Sequence, residues 1–208
     1  MLESRSVFGR IAAVVALSIA VFSASSCDPN VFVETVAWGD EGDGFLTYRT
    51  NDPEELDRSA WRLDGYVQAE VGYTVEAKVR KVSGSPTTGY GIVFCAQDDD
   101  NFYRVLVNVN GRFNVYKRVA GTWSQISGWE DSPALNEGYG VDNTIKVARD
   151  GDVLRLYFNG TSVGIFNPAE FKGGQAGFYA GIGSRDSETF PQIFSETKFT
   201  QTLPVPIP

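Results

Sequence analysis

Apolar and polar side chains alternate along much of the chain, and this period of two predicts β-strands. In Tyr73–Val82, apolar residues alternate with Thr, Glu, Lys and Arg, which is typical of a strand with one buried face. Tyr90–Ala96 is apolar on both faces, so we expect a central strand covered on each side. Beyond residue 30 no long window has a helical period, although Pro168–Phe171 has room for one turn. The pattern predicts an all-β protein.

Turn residues separate the alternating segments at short intervals. Asn110-Gly111, Asp150-Gly151 and Asn159-Gly160 each stand between two segments of strand length, as in two-residue β-hairpins. Asp98–Asn101 interrupts the pattern in the same way before Phe102–Val109. These turns predict an antiparallel meander within a sandwich of two sheets. Further strands are expected at Phe45–Arg49, Gly177–Ile182 and Ile193–Phe199.

Residues 1–26 have the composition of a secretory signal. Arg5 and Arg10 precede the apolar segment Ile11–Phe22, and the small residues Ser23–Ser26 follow it. The apolar segment is shorter than the ~20 residues that a membrane-spanning helix needs. Cys27 comes directly after the small residues, and this order resembles a bacterial lipoprotein signal. The resemblance implies that Cys27 becomes the N-terminus and carries lipid such as palmitate, which anchors the protein to a membrane.

The segment before the cysteine departs from that pattern at one place. Ala24 stands where lipoprotein signals usually carry Leu, three places before the cysteine. Ordinary secretion, with cleavage near Ala24–Ser26 and a plain thiol at Cys27, is therefore one alternative, and an uncleaved anchor is the other. With lipidation we expect the protein in the cell envelope, attached to the outer or the cytoplasmic membrane and facing outside the cytoplasm.

The domain organisation follows from these segments. We expect a lipoprotein signal peptide at 1–26, an anchor and short linker at 27–40, a β-sandwich at 41–200 and a proline-rich tail at 201–208. The sandwich segment has the size of one domain. The tail Thr202–Pro208 carries too many prolines to join a central strand.

Composition excludes several classes of function. The net charge of −8 argues against nucleic acid as a partner, because phosphates favour clustered Lys and Arg. The absence of histidine excludes His-based triads and His metal ligands. The chain has two cysteines, and acylation of Cys27 leaves Cys95 without an intramolecular partner. We expect Cys95 to point the same way as Val93 and to be an inert buried thiol.

Several motifs resemble those of one family of sandwiches. Concanavalin A-like lectin/glucanase domains, and LamG-like and DUF1080-like bacterial extracellular domains in particular, have similar strands and turns at corresponding places. The matching segments are Tyr90–Tyr103 (YGIVFCAQDDDNFY), Gly121–Trp123, Trp129, Leu154–Gly160 (LRLYFNG) and Gly174–Tyr179. The resemblance covers about residues 65–200 and implies a jelly-roll sandwich. It also implies a non-catalytic module that binds carbohydrate, with a DUF1080-like glycoside hydrolase or a structural adhesion protein as the alternatives.

Aromatic side chains near strand ends are the candidate sugar contacts, because flat rings stack on the apolar faces of pyranose rings. Packing within the core or at its ends is the alternative role for the tryptophans. Arg104 and Asn108 share one face of the predicted strand and are candidate hydrogen-bond partners for hydroxyl groups. The ligand-binding candidates are Tyr103, Arg104, Asn108, Trp123 and Trp129, with Tyr116 and Tyr139 in similar surroundings.

Acidic loops provide the remaining candidate chemistry. Asp40, Glu41 and Asp43 lie in the glycine-containing segment 39–44, and such oxygen-rich loops suit a structural calcium ion. No other cofactor is predicted. Glucanases of the resembling fold carry an E-x-D-x-E or E-x-D-x-x-E strand, and this sequence has no such segment. We therefore assign no catalytic residues and favour binding over hydrolysis.

Overall fold

The computed structural model describes residues 37–40, 46–50, 59–67, 72–167, 169–181, 195–199 and 205–206. These residues form 14 strands. Among them there is no helix that is long and apolar enough to cross a membrane. The strands are β1 Ala37–Asp40, β2 Leu46–Thr50, β3 Ser59–Val67, β4 Tyr73–Lys81, β5 Tyr90–Asp98, β6 Asn101–Val107, β7 Arg112–Val119, β8 Thr122–Asp131, β9 Asn143–Asp150, β10 Val153–Phe158, β11 Thr161–Phe166, β12 Gly174–Gly181, β13 Ser195–Phe199 and β14 Val205–Pro206.

The strands form two antiparallel sheets, which confirms the predicted all-β sandwich. One sheet has eight strands in the order β1-β2-β13-β4-β9-β10-β11, with β14 paired to β4. The other has six strands in the order β3-β12-β5-β6-β7-β8. The main core lies between the sheets and includes the alternate residues of β4 from Tyr73 to Val79. Burial of each large apolar side chain there contributes about 1.5–3 kcal/mol.

Hairpins form at all three X-Gly pairs, but of these only Asn159-Gly160 forms the predicted two-residue loop: residues 108–111 separate β6 from β7, and Asp150 is itself paired, which leaves 151–152 between β9 and β10. Asn159-Gly160 joins β10 to β11, with φ of 49° and 83°, as a type I′ turn requires. The Asn159 amide holds this turn against its neighbours: Nδ2 donates to Ala134 O at 2.8 Å, and Oδ1 accepts from Thr144 N at 2.8 Å. The backbone angles of this turn and the hydrogen bonds of Asn159 to distant residues together fix this part of the eight-stranded sheet.

A bulge in β5 overturns the predicted direction of Cys95. Val93 lies in an outer cluster, whereas Phe94 and Cys95 both belong to the core between the sheets. The reason is that Cys95 has a φ of 53°, which breaks the alternation of side chains. The thiol is fully buried, as predicted, with Sγ 2.6 Å from Tyr73 Oη and 3.9 Å from Arg149 Nη1. Burial raises the pKa of the Cys95 thiol, which disfavours the reactive thiolate.

The proline-rich tail reaches a central strand, contrary to expectation. Val205 and Pro206 form β14 and pair with Thr74 and Tyr73 at one end of β4. β13 pairs with the other end of the same strand, at Val79–Lys81, so the end near Tyr73 remains available to the tail. Proline has no N–H to donate, so Pro206 can take part in this pairing only as an acceptor.

Candidate functional site

The outer face of the six-stranded sheet carries aromatic and basic side chains. On β6, Tyr103 and Val105 face the core between the sheets. Phe102, Arg104 and Leu106 alternate with them and project from the opposite face. Phe102 and Leu106 belong to a second apolar cluster, separate from the main core. The more exposed side chains of this face pack against this cluster.

The second cluster packs tightly at its Trp129 end. A Cβ atom on Gly89 would lie 2.8 Å from Leu106 Cβ and 3.0 Å from Trp129 Cη2, so only glycine fits there. Trp129 is half-buried against the cluster. Its position therefore combines packing with partial access to solvent. The buried members of the cluster are Val93, Ala96, Phe102, Leu106 and Tyr179.

Arg104 lies at the centre of this face, surrounded by aromatic rings. Its guanidinium carbon is 3.9 Å from the centroid of Trp123, 4.6 Å from that of Tyr179 and 5.4 Å from that of Tyr116. Nη1 donates a hydrogen bond to Tyr179 Oη. The β6–β7 register sets Arg104 opposite Tyr116, which explains one of these contacts directly. We call Phe102, Arg104, Tyr116, Trp123 and Tyr179 the aromatic surface.

Trp123 is the most exposed tryptophan of the described side chains, with 38% of its area accessible. Its ring meets Phe102 edge-on at 5.4 Å and Tyr116 edge-on at 6.5 Å between centroids. Arg118 lies opposite Trp123 in the β7–β8 register, with its guanidinium 5.4 Å from the ring centroid. These contacts hold the indole in one orientation while part of it faces solvent.

The β7–β8 hairpin positions that indole. Ala120 and Gly121 both have positive φ, 47° and 77°. The Ala120 N–H donates to Asn101 Oδ1 at 2.9 Å, and the Gly121 N–H donates to Asp100 O at 3.1 Å. Arg118 Nη2 forms an ion pair of 2.9 Å with Asp100 Oδ1. The acidic turn that the sequence predicted at 98–101 thus supports the hairpin from the side.

Two polar atoms beneath the aromatic surface lack partners among the described residues. They are Arg104 Nε and Asn114 Oδ1, both buried. Asn114 lies opposite Leu106 in the β6–β7 register, two positions from the Arg104–Tyr116 pair and on the same face. Burial lowers the pKa of Arg104, since a desolvated guanidinium is less favourable than a hydrated one. The aromatic surface therefore contains a charge that the described part of the protein only partly compensates.

The predicted ligand contacts divide between this face and other places. Arg104, Trp123 and Trp129 share the outer face, and their contact with a ligand stays a prediction. Tyr103 is fully buried in the core, where Oη donates to Glu170 Oε2 at 3.0 Å. Burial raises the pKa of Tyr103 to about 12.

Tyr103 contacts the loop at residues 169–171, which form no helical turn although the sequence has room for one at Pro168–Phe171. Its Oη accepts from the N–H groups of Glu170 and Phe171, at 3.1 Å each. Tyr103 is therefore a support for this loop.

Asn108 lies just beyond the end of β6, and its side chain supports the following turn. Oδ1 accepts from the N–H of Asn110 at 3.0 Å and from the N–H of Arg112 at 3.2 Å. The side chain is 3% exposed, so its acceptor is used within the hairpin. The shared face predicted for Arg104 and Asn108 does not bring Asn108 to the aromatic surface.

The remaining predicted sites fall largely outside the described residues. Cys27, Glu41 and Asp43 are not among them, and Asp40 is the last residue of β1, described by its backbone alone. No group of three His, Cys, Asp or Glu side chains suited to a metal occurs in the described part of the chain. Lipidation at Cys27 and calcium at Asp40, Glu41 and Asp43 remain predictions.

A small cavity opens elsewhere, beside the loop that Tyr103 supports. Its volume is about 220 Å³. Lys117 Nζ forms an ion pair with Glu170 Oε1 at its rim, and this hydrogen bond lowers the pKa of Glu170. A glycosidase needs two carboxylates ~5–9.5 Å apart, and Glu170 is the one carboxylate in the lining. The cavity is lined by Lys117, Ile126, Phe166, Asn167, Ala169 and Glu170.

Solved structures share this architecture. The carbohydrate binding module CBM66 from Bacillus subtilis has a TM-score of 0.54 and 15% identity, over 82% of this chain and 91% of that one. A functionally unknown protein from Saccharomyces cerevisiae has a TM-score of 0.52 and 13% identity, over 85% and 95%. Family 7 alginate lyase A1-II′, in complex with substrate, has a TM-score of 0.50 and 14% identity, over 80% and 79%.

Sequence comparisons add no family. No protein-family model matches the chain, and no curated protein matches it. The likeness to solved structures is one of fold, and it confirms the jelly-roll sandwich.

Proposed function

We propose that this protein is a carbohydrate-binding module that works outside the cytoplasm, with the aromatic surface as its binding site. The observation that carries the proposal is Trp123, a partly exposed indole held in one orientation by Phe102, Arg104 and Tyr116. Fixed aromatic rings beside a few polar groups are typical of small-molecule sites. Sugars suit such a surface because their C–H faces stack on rings while their hydroxyl groups find donors and acceptors at the edge.

The neighbouring structures support the same ligand class. One is named as a carbohydrate binding module, and another is an alginate lyase in complex with its substrate. The described cavity contributes one carboxylate, Glu170, so the proposal is binding without hydrolysis.

Substitution of the exposed indole tests the binding site. In the full chain, Trp123→Ala should weaken binding to glycans retained on an array by about tenfold to a hundredfold, since interface aromatics often contribute about 2 kcal/mol or more. Tyr157→Ala is the matched control, because Tyr157 carries the aromatic ring near Lys146 in the eight-stranded sheet. Binding is measured by isothermal titration calorimetry, with thermal unfolding to verify both variants. Absence of glycan binding, or equal loss in both variants, contradicts the proposal.

The proposal includes a lipid anchor at Cys27 in the cell envelope. Its support is the order of a basic start, a short apolar segment, small residues and a cysteine. When the full chain is expressed in a bacterium supplied with an alkyne analogue of palmitate, the protein should incorporate the label and sediment with membranes. Cys27→Ala should abolish the label and release the protein from the membrane. Lipidation is contradicted if the unsubstituted protein takes up no label, or if Cys27→Ala still sediments with membranes. Either result leaves the glycan test unaffected.

A further inference from the structure

Arg104 is half-buried and differs from the buried cations Lys81 and Arg149 in how its charge is compensated. Lys81 Nζ donates to Ser85 O at 2.5 Å and to Thr88 Oγ1 at 2.6 Å. Arg149 likewise donates to two backbone carbonyl oxygens, at 2.9 and 2.7 Å. Arg104 has three ring faces and one tyrosine hydroxyl around it, and no carboxylate pairs with it among the described residues.

Two further arginines of this face have described side chains, and each has a carboxylate within ion-pair distance. Arg118 pairs with Asp100 at 2.9 Å, and Arg112 pairs with Asp131 at 3.2 Å. The centre of the aromatic surface therefore has a local excess of positive charge, although the chain as a whole carries −8. Exposed acids elsewhere act weakly there, because charges further apart than about 8 Å are largely screened at physiological ionic strength.

The partners that Arg104 does have favour an additional anion. Ring faces attract a cation by their quadrupole and carry no net charge, so the guanidinium keeps its full charge. The guanidinium is partly desolvated, with Nε buried and without a partner among the described residues, and low hydration strengthens electrostatic attraction to an anion at the surface.

From this geometry we infer that the aromatic surface selects acidic polysaccharides, built from sugars that carry carboxylate groups, over their neutral counterparts. The inference rests on the proposed function and names its ligand class. The sugar ring stacks at Trp123, and its carboxylate lies toward Arg104, away from the acidic turn at 98–101. Single-stranded nucleic acid also combines rings with negative charge, but the net charge of the chain disfavours it.

The acidic turn at 98–101 offers a substitution that should strengthen the binding of an acidic glycan. Asp100 neutralises Arg118, and 59% of its side chain is exposed. Asp100→Asn should free Arg118 for the ligand and strengthen binding of an acidic glycan by about threefold, an effect within the range of exposed ion pairs. Binding of a neutral glycan should not change.

The experiment compares glycans that differ only in charge. The full chain is titrated with oligogalacturonates and oligomannuronates, and with the same oligomers after reduction of each carboxylate to a primary alcohol. The acidic forms should bind at least about tenfold more tightly, and added salt should reduce that preference. Arg104→Met should remove most of the preference. Arg155→Gln, which removes one positive charge from an exposed position on β10, should leave it intact.

Each outcome separates the two proposals. Equal binding of acidic and reduced oligomers overturns the inference and leaves carbohydrate binding standing. No binding of either form, or of any neutral glycan on the array, overturns both. Equally tight binding of single-stranded DNA shows attraction by charge alone and overturns the inference. If Arg104→Met does not fold, Asp100→Asn decides, because unchanged or weaker binding of the acidic oligomer in that variant contradicts the inference.

Discussion

The outer face of the six-stranded sheet contains one cation, Arg104, whose surroundings differ from those of the cations on the outer face of the eight-stranded sheet. On the eight-stranded sheet, Glu76 lies directly opposite Lys146 in the β4–β9 register, with the charged atoms 3.9 Å apart. Arg80 Nε similarly lies 2.5 Å from Asp142 Oδ1. On the six-stranded sheet, Arg104 is surrounded by aromatic rings and pairs with no carboxylate among the described residues.

This difference separates a solvated surface from a surface suited to a ligand. Cross-strand pairs of opposite charge satisfy each other, and each contributes only about 0.2–1 kcal/mol to stability. A desolvated cation without an anion costs stability, so its retention is explained better by binding than by folding. Exposed rings beside it have the same implication.

The largest expected effect is on stability, at the second apolar cluster beneath the aromatic surface. Leu106→Ala should lower the free energy of unfolding by about 2–4 kcal/mol, because Leu106 is buried in the second cluster and its loss leaves a cavity. Lys78→Ala, 46% exposed in the eight-stranded sheet, should change it by less than about 0.5 kcal/mol. Urea denaturation measures both. Similar values for the two variants would remove the contrast between the faces.

An intermediate effect of opposite sign is expected at Arg104. Arg104→Met keeps a long side chain among the rings and removes the desolvated charge, so it should raise the free energy of unfolding by about 1 kcal/mol. Loss of the hydrogen bond to Tyr179 Oη and of the ring contacts offsets part of the gain. Differential scanning calorimetry measures the change. A marked fall in Tm would mean that Arg104 stabilises the fold, and that a structural role explains its retention.

The smallest effect concerns an ion pair on the other sheet. The hydrogen bond from Arg80 lowers the pKa of Asp142, which is 36% exposed. Its folded pKa lies below the unfolded value of about 3.9, so the stabilisation is complete above that value and is lost as pH falls through the folded pKa. Asp142→Asn should therefore cost about 0.5 kcal/mol at neutral pH, after allowance for solvent screening, and nothing in strong acid. Urea denaturation at successive pH values measures this, and a cost that persists in acid would contradict it.

The fold could be predicted from sequence because its turns are local. Asn110-Gly111, Asp150-Gly151 and Asn159-Gly160 each place a glycine with positive φ in a short loop, so residues close in sequence set the adjacent strands antiparallel. The bulge at Cys95 and the pairing of Val205–Pro206 with β4 depend on partners far along the chain. The alternation of apolar and polar residues does not reveal such distant partners. The expected direction of Cys95 and the expected exclusion of the tail from a central strand were therefore both wrong.

The candidate site was predictable only in part. Tyr103 and Arg104 are adjacent on β6, and their strand is apolar on both faces because the sheet has a cluster on each side. The alternation of apolar and polar residues therefore could not show whether Tyr103 or Arg104 points away from the core. Tyr179 was missed because it lies 75 positions from Arg104 and reaches it through the β12–β5 pairing. The segment Gly177–Ile182 predicted a strand, but its sequence did not indicate which strand it pairs with.

The stacking of Arg104 among rings also affects the entropy of binding. A free arginine side chain has about 2 kcal/mol of rotamer entropy, much of which an exposed arginine loses when it closes on an anion. Here that loss occurs as the protein folds, because Trp123, Tyr116 and Tyr179 already fix the guanidinium. A ligand would therefore meet a preorganised charge, and no carboxylate of the described residues would have to be displaced from it. Such a surface gains affinity from its rigidity.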